Sequence, residues 1–224
     1  MNRNYAKELD KLLGASENKG KTLFLHSCCA PCSSYVLEYL RPFFRITVFY
    51  YNPNITEDAE YRKRVEEQKR LIGEFNQKKD DAYPIAIVEG EYQKESFFES
   101  VKGLEKCKEG GERCFVCYEL RLRETARQAK ARKADYFTTT LTISPLKNAA
   151  KINEIGEQLS KEWGVAFLPS DFKKKDGYKR SIELSKEYEL YRQDYCGCIY
   201  SKLERERKLR CLRNDNENDR IIKI

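Results

Sequence analysis

The sequence predicts an α/β fold built on a parallel sheet of about five strands, flanked by helices and followed by a helical C-terminal extension. Five short runs rich in Val, Ile, Thr, Phe and Tyr alternate with longer polar stretches of helical pattern, and such alternation builds βαβ units with parallel strands. At 224 residues with 40% hydrophobic content, the chain is long enough to close its own core. No repeat, low-complexity tract or convincing linker interrupts it. Residues 1–224 therefore read as one α/β domain, with 1–20 a polar lead-in and 170–224 a basic segment and helical tail.

The lead-in holds a short helix around Tyr5 to Leu13. Thr22 to His26 is a short apolar run, read as a buried strand that feeds directly into Ser27-Cys-Cys-Ala-Pro-Cys32. Ser33 or Ser34 then caps a helix to Leu40, which stops before Pro42. Arg45 to Tyr51 is the second strand, ended by the turn Asn52-Pro53-Asn54. Glu57 to Lys79 is polar and free of proline, with apolar residues too sparse for deep burial, so a surface helix is expected. Ile85 to Val88 forms the third strand. After a looser stretch with Gly103, Gly110 and Gly111, Cys114 to Lys130 reads as a helix with Leu120, Leu122, Ala126 and Ala129 on its apolar side. Tyr136 to Leu141 is the fourth strand, Asn148 to Trp163 a helix, and Val165 to Leu168 the fifth strand. The basic segment Asp171 to Arg180 leads into a helix from Ser181 to Tyr191, and a charged helix runs on to about Arg213.

The chain carries 43 basic and 36 acidic residues, a net charge of +7. That excess permits a polyanionic partner without requiring one. No apolar run approaches the roughly 20 residues that cross a bilayer, and the first residues lack the apolar core of a secretory signal. A cytoplasmic protein is expected, with no membrane partner. In a reducing compartment nine cysteines are poor material for a disulfide framework, and an odd number cannot pair completely.

The cysteines fall into three groups: Cys28, Cys29 and Cys32; Cys114 and Cys117, with Cys107 upstream; and Cys196 with Cys198. Cys211 stands alone in a charged helix. The first group follows the first strand, where open α/β sheets collect their ligands. A phosphate site would place glycines there; this chain places three thiols. Cys-x-x-Cys spacing at Cys29/Cys32 and Cys114/Cys117 lets two sulfurs converge on one metal or cluster, and it serves zinc, iron–sulfur and redox sites alike. A closed zinc site could draw on Cys28 or Cys29 with Cys32, Cys114 and Cys117, making a zinc-stabilised RNA-binding domain without catalysis. Seven clustered cysteines exceed one such site, which favours iron–sulfur or redox use. Cys196-Gly-Cys198 could close a small, labile disulfide ring suited to holding two electrons, or supply two further ligands. Asp194 lies close enough in sequence to add an oxygen ligand or tune those thiols. His26 is the single histidine and reads as a packed core residue. A thiol–disulfide oxidoreductase without metal is the remaining alternative.

Lys173, Lys174, Lys175 and Arg180, followed by Tyr188, Tyr191 and Arg192, interleave cations with aromatic rings. Cations meet phosphates and tyrosines stack on unpaired bases, so the segment suits an RNA loop. A solvated charged loop is the plainer reading, but the segment runs straight into Cys196 and Cys198.

His26-Ser-Cys-Cys-Ala-Pro-Cys32, Tyr51-Asn-Pro-Asn-Ile55, Arg113-Cys-Phe-Val-Cys-Tyr-Glu-Leu-Arg-Leu122, Phe137-Thr-Thr-Thr-Leu141 with Ser144-Pro145, Asp171-Phe-Lys-Lys174 and Leu190-Tyr-Arg-Gln-Asp-Tyr-Cys-Gly-Cys198 together resemble the QueH family, the cobalamin-independent epoxyqueuosine reductases. The resemblance spans about Leu23 to Ser201. It implies a Rossmann-like, nucleotide α-hydrolase-like fold and an oxidoreductase that converts epoxyqueuosine at the tRNA wobble position to queuosine. It also implies a [4Fe–4S] cluster on Cys28, Cys29, Cys114 and Cys117, and a redox-active pair in Cys196 and Cys198. Cys32 is left over, and an additional iron ion held by spare thiols and an Asp is compatible with the pattern. Partners would be a tRNA anticodon loop bearing epoxyqueuosine and an unidentified electron donor. ATP-using relatives of that fold carry a Ser-Gly-Gly loop after the first strand; here Ser27-Cys-Cys-Ala-Pro-Cys32 stands there, which argues against ATP. Deoxygenation needs two electrons and two protons, with Asp194, Asp171 and Tyr195 as candidate proton donors.

Overall fold

β1 (Thr22–His26) occupies the middle of a five-stranded sheet because both of its faces are apolar. Leu23 and Leu25 point to one side, Phe24 to the other, and all three are buried, as the period of two along a strand requires. β2 (Arg45–Tyr50), β3 (Ala86–Glu89), β4 (Tyr136–Thr139) and β5 (Ala166–Phe167) complete it in the order β3-β2-β1-β4-β5, every neighbouring pair parallel. The computed structural model describes residues 3–221.

The chain builds outward from β1 to β2 and β3, then returns to place β4 on the other side of β1. The order therefore reverses at β1, and the crevice outside the carboxyl ends of β1 and β4 is the switch point where such sheets hold ligands. Helices cover both faces. Leu23, Leu25, Ile46 and Val48 pack with α2 (Ala30–Leu40) and α3 (Asp58–Gln77). Phe24, Phe49, Phe137 and Phe167 pack with α5 (Glu112–Ala131) and α6 (Ala149–Trp163). Each such buried side chain contributes about 1.5–3 kcal/mol relative to an exposed one. The helix α1 (Tyr5–Gly14) precedes the sheet, α7 (Gly177–Glu187) packs on α2, and α8 (Ile199–Ile221) is the extension.

Several boundaries differ from the sequence expectation. The helix after β1 starts at Ala30, not Ser34: Pro31 occupies its first turn, and Ser33 and Ser34 are buried inside it, the Ser33 hydroxyl donating to Gln68 Oε1 at 2.9 Å. Proline in the first turn loses no helical hydrogen bond. α3 is not merely superficial, since Tyr61, Arg64, Val65, Gln68, Leu71, Ile72 and Phe75 form a buried stripe at helical spacing. The looser stretch contains a further helix, α4 (Lys94–Ser100), anchored by buried Phe97. The fourth strand stops at Thr139 and passes into a 3-10 turn, Thr140–Ile143. α7 begins within the basic segment, at Gly177, where a Cβ would meet the Phe172 carbonyl at 2.0 Å. α8 runs beyond Arg213 to Ile221.

Candidate active site

The end of β1 delivers three thiols into the switch-point crevice. Sγ atoms of Cys28, Cys29 and Cys32 all lie within 4.8 Å of one another. Cys28 stands between two elements: its N–H donates to Thr140 Oγ1 at 3.3 Å and its Sγ lies 3.5 Å from the same hydroxyl. Cys29 is the N-cap residue of α2, so the positive end of that helix faces the sulfurs. Hydrogen bonds from Cys29 and Cys32 pull the Cys28 thiol well below its ordinary value. Burial pushes Cys29 up to about 12. Gln193 Nε2 donates to Cys29 Sγ at 2.7 Å, tying the segment before the Cys-Gly-Cys turn to the end of β1.

Cys114 and Cys117 sit on the first turns of α5, with the Gly110 N–H donating to Cys114 Sγ at 3.2 Å. Burial raises both thiols, Cys117 to about 11. They line one cavity together with Cys196 and Cys198, although the two pairs are some 80 residues apart in the chain. The 4.8 Å triad contains neither Cys114 nor Cys117. Cys107 carries its thiol in a different cleft, beside Tyr200 and Glu204. All nine cysteines are free thiols.

Two cations, Arg121 and Lys147, line the same cavity as these sulfurs. Arg121 is 1% exposed and lines the cavity, yet its Nη2 has no hydrogen-bond partner; Nε donates to the Cys117 carbonyl at 3.2 Å. Lys147 lines the same cavity and makes no ion pair among the described residues. Burial works against the charge of both, while the neighbouring sulfurs, led by Cys117 for Arg121 and by Cys196 for Lys147, favour it, and both pKa values rise. A cavity of thiols faced by the buried guanidinium of Arg121 and the half-buried Lys147 could hold a metal through its soft sulfur ligands.

A cleft of about 480 Å³ opens beside this cavity, lined by Cys32, Lys147, Tyr178, Arg192, Asp194, Tyr195, Cys196, Arg205 and Lys208. Of the residues expected to meet RNA, Arg192 lines it. Lys173 instead pairs with Asp171 at 2.9 Å, Lys175 with Asp10, and Arg180 with Glu38 at 2.7 Å. Lys174 is exposed away from the cleft, and Tyr191 donates to Glu60 at 3.0 Å beneath Lys63. Asp194 reaches the cleft but is paired with Arg205. Asp171 lines neither cavity. His26 is a packed core residue: Nδ1 meets Thr139 Oγ1 at 2.8 Å and Nε2 the Tyr51 carbonyl at 3.1 Å, and burial lowers it to about 3.

The model of the epoxyqueuosine reductase QueH family matches residues 23–204. The chain belongs to that family. It is 44% identical over 185 residues to epoxyqueuosine reductase QueH of Streptococcus pyogenes, covering 83% of this chain and 72% of that protein. It is 41% identical over 205 residues to the Staphylococcus epidermidis QueH, 90% and 85% of the two chains, and 36% identical over 190 residues to that of Thermotoga maritima, 84% and 93%. The matched span contains every cysteine of the candidate site and ends within the first turns of α8.

Glu109, Arg121, Lys147 and Gln193 also touch the sulfur site or line its cavities, which the sequence alone does not announce. Arg121 had a local signal, since it follows Cys114 and Cys117 by seven and four residues on one helix face. The others come from loops whose path no periodicity reveals.

Proposed function

We propose that this chain is an epoxyqueuosine reductase, removing the epoxide oxygen from epoxyqueuosine at the wobble position of a tRNA anticodon to leave queuosine. The observation that carries the reading is the convergence of Cys114, Cys117, Cys196 and Cys198 on one cavity that Arg121, with its Nη2 unpartnered, and Lys147 also line, together with the Cys28-Cys29-Cys32 triad at the end of β1.

The residues fit an iron–sulfur cluster. Soft thiolates suit iron–sulfur ligation, and the orphaned Nη2 of Arg121 calls for negative charge in the cavity. Cys28, Cys29, Cys114 and Cys117 are the proposed ligands of a [4Fe–4S] cluster, with Cys32 available to an additional iron ion. Such a cluster, when bound, supplies electrons one at a time. Cys196 and Cys198 supply what it lacks, a two-electron store, their turn held by Gly197 at φ +118°. The neighbouring cleft, with Lys147, Arg192, Arg205 and Lys208 around Tyr178 and Tyr195, offers cations to phosphates and rings to unpaired bases. A separate electron donor restores the dithiol between turnovers, and a cytoplasmic setting keeps the thiols reduced. No helix among the described residues is long and apolar enough to cross a membrane.

The test is metal analysis of protein purified without oxygen, followed by turnover on tRNA bearing epoxyqueuosine. About four irons and four sulfides per chain are expected, with product formed. Colourless protein carrying one zinc would overturn the reading in favour of a zinc-stabilised RNA-binding domain.

A further inference from the structure

The inner cavity holds one carboxylate among the described residues, that of Glu109. It also lines two neighbouring clefts, one of them the cleft proposed above to receive the RNA. Unlike Asp194, which pairs with Arg205, and Asp171, which pairs with Lys173, Glu109 makes no ion pair among the described residues. Its carboxylate accepts from Ser201 Oγ at 3.2 Å. Ser201 in turn contacts both thiol residues: Oγ accepts the Cys196 N–H at 3.0 Å, and its own N–H donates to Cys198 Sγ at 3.4 Å. The Glu109 backbone is pinned, its N–H donating at 3.0 Å to Glu204, which Arg113 holds at 3.1 Å.

Deoxygenation of an epoxide by a dithiol closes on these groups. Both C–O bonds break and a C=C bond forms. Cys196 and Cys198 give up two electrons and two protons as their S–S bond forms, and the oxygen leaves as water with both protons. The protons must travel from sulfur to oxygen, and a carboxylate without a cation beside the thiols is free to take and give them.

We propose that Glu109 is the catalytic acid of this site, carrying thiol protons, with Ser201 as its hydrogen-bonded partner, to the departing epoxide oxygen. The proposal rests on the reading of Cys196 and Cys198 as the electron-holding pair.

The test uses iron-loaded, pre-reduced enzyme in single turnovers on epoxyqueuosine tRNA, with thiol titration before and after. Glu109→Gln should slow the reaction about 100-fold while keeping wild-type iron, sulfide and tRNA binding. Glu109→Asp should retain more activity than the Gln variant, and added formate should partly restore Glu109→Ala. A Glu109→Gln enzyme with full iron and an undiminished rate would overturn the assignment. So would a Glu109→Ala enzyme insensitive to formate alongside an Asp variant as slow as Gln. Cys196→Ser separates the two ideas: if that variant still turns over, the dithiol reading fails whatever Glu109 does.

Discussion

The buried guanidinium of Arg64 donates a 3.1 Å hydrogen bond to the carbonyl oxygen of Cys196. The same side chain is 2% exposed and pairs at 2.7 Å with Glu60, itself 12% exposed, so a residue of α3 fixes the backbone of a turn 132 positions further along. The Thr56 N–H adds a second tie, donating to the Gly197 carbonyl at 3.2 Å. The thiols thus sit on a turn tied to α3 and to the segment just before it.

Arg64→Met should cost about 3 kcal/mol, because it leaves Glu60 nearly buried without its ion-pair partner and frees the carbonyls of Cys196 and Tyr195. Urea unfolding measures this. A midpoint equal to wild type would show that the pair does not hold the turn.

Gly197→Ala should be harmful for two separate reasons. The residue has φ +118°, which side chains other than glycine rarely adopt, and an added Cβ would meet Ile55 Cγ1 at 2.8 Å and Arg64 Nη1 at 3.2 Å. A destabilisation of about 1–3 kcal/mol is expected, together with displaced thiols. Turnover unaffected by the change would contradict the view that this turn sets the geometry of Cys196 and Cys198.

Arg121→Met should act far more strongly on the loaded than on the empty protein. Without metal, the cost of burying the guanidinium and its attraction to the neighbouring sulfurs oppose one another, so stability should change little. With metal, the loss of positive charge facing the thiolates should loosen iron retention. Thermal midpoints of metal-free protein and iron per chain after gel filtration check both halves. A variant that is less stable when empty and holds iron as well as wild type refutes the electrostatic role.

His26 sets a pH dependence. Its folded value lies near 3, against 6.5 for the free side chain, because burial opposes the charge. Below pH 6.5 the unfolded state binds a proton that the folded state does not, so stability falls as pH drops from 6.5 toward 3. The slope is up to about 1.4 kcal/mol per pH unit. Urea midpoints of wild type and His26→Asn across that window should converge or cross as pH falls. Parallel curves would mean that His26 does not titrate on unfolding.

The amino-acid sequence by itself determined the strands, most helices and the cysteine groups, because these depend on local pattern. Leu23, Phe24 and Leu25 mark β1 through apolar character, and Cys114 and Cys117 converge through a spacing of three within one helix. The early start of α2 was hidden by serines that resemble caps but bond inward to Gln68 and Pro31. The burial of α3 was hidden because its inner face carries Arg64 and Gln68, polar residues whose partners lie far along the chain.

Only the tertiary structure decided which distant groups share a site. The expected RNA-facing lysines 173 and 175 are turned to carboxylates, whereas Lys147, Arg205 and Lys208 reach the cleft. Arg121, Lys147 and Glu109 join the thiols because the strand order reverses at β1, and the loops after β1 and β4 meet the start of α5 and the turn before α8. Local periodicity reports which face of an element is buried; which loops meet at the end of a sheet is a property of the closed topology.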